Sequence, residues 1–281
     1  MSEIGATTRI AALFGHPVAH SKSPRMHNAA FREFGMDCRY VAFDVDPGQL
    51  AAAVAAVRAL GLLGVNLTIP HKEAVLSMLD EVDAEVQFIG AVNTIVNRQG
   101  RLIGYNTDGR GFMRSLKEAG VDVAGKRVLI LGAGGAARAV AAYIVREAAS
   151  VVVANRTRGR AGQLVGDLNQ IRSIVTTAEL SEAGQEAFLK DIHLVINATS
   201  LGLKESDPLP LDVDALTADQ VVCDLIYHPT AFLQKAAARG ARVLDGSGML
   251  LWQGVLAFEL WTGRDAPVNV MRRALLDGDT Q

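Results

Sequence analysis

The chain has 281 residues, 49% of them hydrophobic and 21% charged, with a formal net charge of −2, the profile of a globular protein long enough for two ordinary domains. Such a balance gives no global field for nucleic acid or a membrane surface, no apolar run reaches the roughly 18 residues of a membrane span, and the start MSEIGATTRI carries no signal-peptide pattern, so a cytoplasmic protein acting on a small molecule is expected. Cys38 and Cys223 stand far apart outside any C-x-x-C spacing, and Pro17 and Pro24 break up the helix that His16, His20 and His27 would need to share, so neither a disulfide framework nor a metal site is expected.

In chain order, residues 9–15 read as a strand and 24–34 as a helix closed by Gly35. Between them His20-Ser21-Lys22-Ser23-Pro24 sets Ser23 at the helix N-cap with Pro24 at N1. Ser21 adds a second hydroxyl, and the pair beside a helix N-terminus suits a carboxylate, although simple capping explains Ser23 alone. Residues 40–45 form a second strand, 47–60 an alanine-rich helix, and 62–69 a third strand that stops at Pro70. Asn66, Thr68, His71 and Lys72 then lie at and just past a buried strand end, where open α/β sheets bind ligands. A lysine near a helix start is normally solvated; burial would lower its pKa towards the range useful for acid–base work, while a nearby carboxylate would raise it again. Residues 91–96 and 101–105 read as a hairpin around Asn97-Arg98-Gln99-Gly100. Asp108, closing Tyr105-Asn106-Thr107-Asp108, reads either as that carboxylate or as the cap of the next helix, whose Phe112, Leu116 and Ala119 share one side.

From Lys126 the chain reads KRVLILGAGGAARAVAAYIVREAASVVVANRTRGR. Residues 126–131 suit a parallel strand buried on both faces. Gly132, Gly134 and Ala137 hold the G-x-G-x-x-A positions that allow the tight turn, the approach of a pyrophosphate, and close helix packing. About 20 residues on, where an NAD site usually places Asp or Glu, stand Asn155, Arg156, Thr157 and Arg158. Guanidinium groups hold a 2′-phosphate that a carboxylate would repel, so NADP is expected over NAD. Further strands are expected at 171–175, 193–198, 221–226 and 242–244, and helices at 249–263 and 268–276 that return to the first domain. The fold class is α/β, a Rossmann-type doubly wound parallel sheet plus a second α/β substrate-binding domain. The expected bounds are 1–108 with 248–281 for the discontinuous substrate domain and 109–247 for the NADP domain.

The runs GHPVAHSKSPRMHN, NLTIPHK, AVNT, YNTDGRGF, GAGGAA, NRT, NATSLG and GMLLWQG occur in the order seen in the shikimate dehydrogenase family, which the chain resembles over nearly its whole length. The resemblance implies NADP-dependent, reversible reduction of 3-dehydroshikimate to shikimate. It makes Lys72 and Asp108 the catalytic pair and Ser21 and Ser23 the site of the substrate carboxylate. Thr68, Asn93, Asp108 and Gln253 would contact ring hydroxyls, with Asn66 and Tyr227 lining the pocket. Gly132, Ala133, Gly134, Gly135 and Ala136 would hold pyrophosphate, Asn155, Arg156, Thr157 and Arg158 the 2′-phosphate, and Thr199, Ser200, Gly248 and Met249 the nicotinamide half. Met249 reads equally as a core side chain. The compact Tyr227-His228-Pro229-Thr230 departs from the family's longer loop.

Three other readings remain. Quinate or an amino analogue of shikimate would need only a changed hydroxyl contact. Glutamyl-tRNA reductase shares the GAGG turn and an N-R-T run but requires a catalytic Cys that neither cysteine supplies. An NADP sensor would have no use for Lys72 and Asp108 together. A monomer or homodimer that closes around its ligand is expected.

Overall fold

The first apolar run forms β1 (Arg9–Gly15), whose last five residues are all buried. It is followed by α1 (Ser23–Glu33), β2 (Cys38–Asp44), α2 (Leu50–Ala59) and β3 (Gly64–Leu67). Helical crossovers make these strands parallel neighbours, β2 on one side of β1 and β3 on the other. β4 (Glu81–Val82), α3 (Ala84–Ile89), β5 (Thr94–Arg98) and β6 (Arg101–Tyr105) complete a mixed six-stranded sheet of order β2-β1-β3-β5-β6-β4. The structure is a computed structural model and describes residues 4–277.

Local differences from the sequence expectations have local causes. The 47–60 segment opens with a 3-10 turn at Pro47–Gln49 before α2. In the hairpin, Asn97 and Arg98 stay in the ladder opposite Leu102 and Arg101. Only Gln99 and Gly100 turn, with φ of 55° and 91°, the positive values a two-residue hairpin loop needs.

After α4 (Asp108–Glu118) come β7 (Arg127–Leu131), α5 (Gly135–Glu147), β8 (Ser150–Ala154), α6 (Arg158–Asn169), β9 (Val175–Ala178), α7 (Leu180–Ala183), α8 (Glu186–Leu189), β10 (Leu194–Asn197), β11 (Val221–Asp224), α9 (Ala231–Ala238) and β12 (Arg242–Leu244). Their sheet is six-stranded in the order β12-β11-β10-β7-β8-β9 and wholly parallel, the doubly wound dinucleotide-binding order. The strand expected at 171–175 lies later, at β9. Ile171 and Arg172 continue the turn of α6 by donating their N–H groups to Leu168. Arg172 then donates to the carbonyls of Val145, Arg146 and Ala148.

The chain ends in α10 (Ser247–Thr262) and α11 (Val268–Leu276). Two compact units result, one containing the chain through Gly111 and again from Leu250, the other Phe112 to Met249, so the divisions fall inside α4 and α10. In the first unit Leu251, Val255, Phe258, Trp261, Met271 and Leu275 share a core with Met26, Phe31 and Tyr40. Trp261 also donates its indole N–H to the Ile95 carbonyl at 2.9 Å.

His27 lies wholly inside this core, its ring stacked on Tyr40 at 4.4 Å and neither ring nitrogen hydrogen-bonded. Burial lowers its pKa from 6.5 to about 3. Between those values the unfolded chain takes up a proton that the folded one refuses, so acidification through this window destabilises the protein by up to about 1.4 kcal/mol per pH unit. Denaturant unfolding at pH 7 and pH 5 checks this. His27→Phe is expected to lose less stability over that interval than the parent, and equal losses would clear His27 of the effect.

Candidate active site

In the first unit the polar residues after β3 meet those between β5 and α4. The Lys72 ammonium donates to Asp108 Oδ2 at 2.6 Å, the lysine side chain 17% and the carboxylate 5% exposed. Asp108 Oδ1 accepts from Asn93 Nδ2 at 2.8 Å, and the Asp108 N–H donates to Asn106 Oδ1 at 3.0 Å. Asn106 is itself anchored to the Ala91 carbonyl, and Asn93 Oδ1 accepts from the Thr107 N–H at 2.8 Å. Both carboxylate oxygens therefore have donors, and the carboxylate is fixed in direction. An ammonium has three donors, and Asp108 takes one. The Lys72 loop is pinned by its own carbonyl, which accepts from the Val92 N–H. It lies in a turn rather than at the start of a regular helix, since only a 3-10 turn, Ala74–Met78, follows.

Ser23 is the first residue of α1 and not its cap: Lys22 holds the cap position and makes no side-chain capping bond to the helix. The Ser21 hydroxyl accepts from the Ser23 N–H at 3.3 Å, and Ser23 itself is buried. Asn66 is buried and bonded wholly to protein, accepting from the Tyr40 hydroxyl at 2.8 Å and donating to the Asn93 carbonyl and Thr94 Oγ1. Thr68, half-buried, donates its N–H to Phe14. Gln253, on α10, donates to the Leu250 carbonyl, and its backbone stands where a Cβ on Gly111 would come within 2.7 Å.

In the second unit the expected cofactor residues gather at the C-terminal ends of β7, β8 and β10, where doubly wound sheets bind ligands. Gly132 has φ +108°, and a Cβ there would sit 2.9 Å from the Ala198 carbonyl oxygen. Ala133 follows, and Gly134, the cap of α5 at φ −89°, has nothing within 4 Å of its Cβ position. Ala137 is fully buried. Arg138 is the first to close onto the Gly134 carbonyl, so the N–H groups of Gly135, Ala136 and Ala137 have no intrahelical partner and suit a phosphate. The room beside Gly134 fits a dinucleotide's pyrophosphate. Gly134→Ala is therefore expected to leave the thermal midpoint within a few degrees while raising KM for the cofactor about tenfold or more. Gly132→Ala should lower the midpoint itself, because its φ and the Ala198 carbonyl both oppose a side chain. Equal midpoint losses in the two variants would contradict this division of roles.

Arg156, Thr157 and Arg158 are exposed at the start of α6, and Asn155 donates to the Thr157 carbonyl. Arg158 Nε contacts Glu179 Oε1 at 2.6 Å. Thr199 donates its hydroxyl to Asn197 Oδ1 at 2.7 Å, Ser200 is exposed, and Gly248 faces Ser115. Met249 is buried. Tyr227, in this unit, is half-buried, and burial raises its pKa. Its loop is anchored by Asp224, raised by burial against the Ile226 N–H, Asn197 and Thr230 bonds it accepts. Neither cysteine suits nucleophilic work: burial pushes Cys38 up and Cys223 to about 12. Among the described residues no three His, Cys, Asp or Glu are grouped to hold a metal ion, and no helix is long and apolar enough to cross a membrane.

Three family models match: the shikimate dehydrogenase substrate binding domain over residues 13–95, shikimate / quinate 5-dehydrogenase over 115–203, and the shikimate 5′-dehydrogenase C-terminal domain over 246–276. The shikimate dehydrogenase (NADP(+)) of Moorella thermoacetica is 52% identical over 98% of this chain and 95% of its own. The chain belongs to the shikimate dehydrogenase family. Within that family, the Thermus thermophilus enzyme solved with NADP(H) and shikimate is 40% identical, with a TM-score of 0.85 over 95% of this chain and 98% of that one. The quinate dehydrogenase of Corynebacterium glutamicum, solved with NAD, is 33% identical, with a TM-score of 0.88 over 96% of this chain and 99% of that one.

Three residues of the shikimate dehydrogenase frame had no sequence signal of their own. Tyr40 reads as one more core residue of a strand, Asn106 as part of a turn, and Glu179 as a solvated charge. Only Asn106 lies inside a run that the motifs single out.

Proposed function

We infer that the chain is an NADP-dependent oxidoreductase that interconverts 3-dehydroshikimate and shikimate. The observation that carries this reading is the buried Lys72–Asp108 pair at 2.6 Å, aligned by Asn93 and Asn106, in a member of this family. Bound NADP supplies the hydride acceptor or, reduced, the donor. In ketone reduction Lys72 delivers a proton to the reacting oxygen, and in alcohol oxidation it receives one. Asp108 holds the ammonium in place and accepts from a ring hydroxyl. Ser21 and Ser23 bind the substrate carboxylate, and Thr68, Asn93 and Gln253 select hydroxyl positions. Gly132 to Ala136 hold the pyrophosphate, Asn155 to Arg158 the 2′-phosphate, and Thr199, Ser200, Gly248 and Met249 flank the nicotinamide half.

The test is the initial rate at the NADPH absorbance band with shikimate and quinate, each with NADP and NAD. Preferred turnover of shikimate with NADP is expected. A preference for quinate would move the assignment to the reading that the Corynebacterium glutamicum relative keeps open, with fold and proton chemistry unchanged.

A further inference from the structure

We propose that Tyr40 is a positioning residue for the catalytic end of the substrate pocket, holding Asn66 behind the Lys72–Asp108 pair. The inference rests on the assignment of shikimate to this unit. Tyr40 is 1% exposed, and its ring is held by His27 stacked at 4.4 Å and Trp261 at 6.0 Å. Its hydroxyl lies 2.8 Å from Asn66 Oδ1.

Hydrogen-bond chemistry sets the direction of each link. Asn66 Nδ2 lies 3.2 Å from the Asn93 carbonyl oxygen, which only accepts, so the amide oxygen faces Tyr40 and the phenol proton goes to it. On the other side Asn66 donates to Thr94 Oγ1 at 3.0 Å, which donates to Asn93 Oδ1 at 3.0 Å. Asn93 Nδ2 then reaches Asp108 Oδ1 at 2.8 Å, and Asp108 holds Lys72. All the links between phenol and carboxylate are buried, so no water replaces a lost partner. A phenol that moves or is removed therefore disturbs the amide that, through Thr94 and Asn93, aligns the carboxylate. Asn66 acts through Asn93 and not as a lining group.

Tyr40→Phe keeps the ring contacts and removes the hydroxyl alone. It is expected to lower kcat for shikimate about fivefold, the size of one lost buried hydrogen bond, with KM for shikimate and for NADP within twofold. Ser23→Ala should move KM for shikimate alone, and Asn66→Ala kcat more than KM. In the Tyr40→Phe, Asn66→Ala double variant the kcat effects should combine to less than their product, because one acts through the other. If Ser23→Ala leaves KM for shikimate unchanged, the assignment of the site itself fails. If Ser23→Ala raises it while Tyr40→Phe leaves kcat for shikimate within twofold, or shifts KM for NADP as much as it lowers kcat, the positioning role is overturned. Should Tyr40→Phe not fold, Asn66→Ala, which cuts the same chain of bonds at its next link, decides, and an unchanged kcat overturns the proposal.

Discussion

Lys72→Ala is expected to lower kcat for shikimate oxidation by about a hundred- to ten-thousandfold, the range for losing a positioned acid–base group, with KM for shikimate changed less than tenfold. The asymmetry follows from the geometry. The ammonium is engaged with Asp108 at 2.6 Å, while the residues assigned to the carboxylate and ring hydroxyls belong to other segments and remain in place. Asp108 keeps its Asn93 bond, so the variant should fold. Asp108→Asn tests the partner separately: its amide can accept from only one of the two donors that the carboxylate serves, so Lys72 loses its anchor and kcat should fall with it. Initial rates with saturating NADP, alongside thermal unfolding, measure both. A Lys72→Ala enzyme within tenfold of the parent kcat would remove Lys72 from the proton transfer.

The parts of this molecule legible in the sequence are those specified by local chemistry. Residues 126–131 and the glycines after them specify a buried strand, a turn and a helix through steric rules that act within a few residues, and β7, Gly132 and α5 follow those rules. The order β12-β11-β10-β7-β8-β9 follows from alternating strands and helices with parallel crossovers. The 171–175 segment reads as a strand because of its β-branched residues, while the turn after α6 and the Arg172 bonds to three carbonyls are tertiary facts. The start of α1 is legible from Ser23-Pro24, yet the cap falls one residue earlier, on Lys22, and the hydroxyl that meets the Ser23 N–H is that of Ser21. The Lys72–Asp108 contact spans 36 residues and has only the family resemblance to support it in the sequence.

Arg156 and Arg158 are expected to set the choice between NADP and NAD. Replacing both by alanine should raise KM for NADP about ten- to a hundredfold and leave KM for NAD within about threefold, since only the 2′-phosphate is lost as a partner. The effect is smaller than for buried charge pairs because both side chains are exposed and solvent screens them. It should shrink further as salt is raised. Glu179 acts in the opposite direction. Its carboxylate holds Arg158 at 2.6 Å, so a phosphate arriving there must displace it and also meets its negative charge. Glu179→Gln is accordingly expected to lower KM for NADP a few-fold without changing KM for NAD, the reverse of the arginine variant. The ratio of kcat/KM for the two cofactors, measured at low and moderate salt for the three proteins, reads both effects at once. A double alanine variant that weakens NADP and NAD equally would mean that these arginines support the fold of the loop rather than the phosphate, and the preference for NADP would then have to come from another part of the second unit.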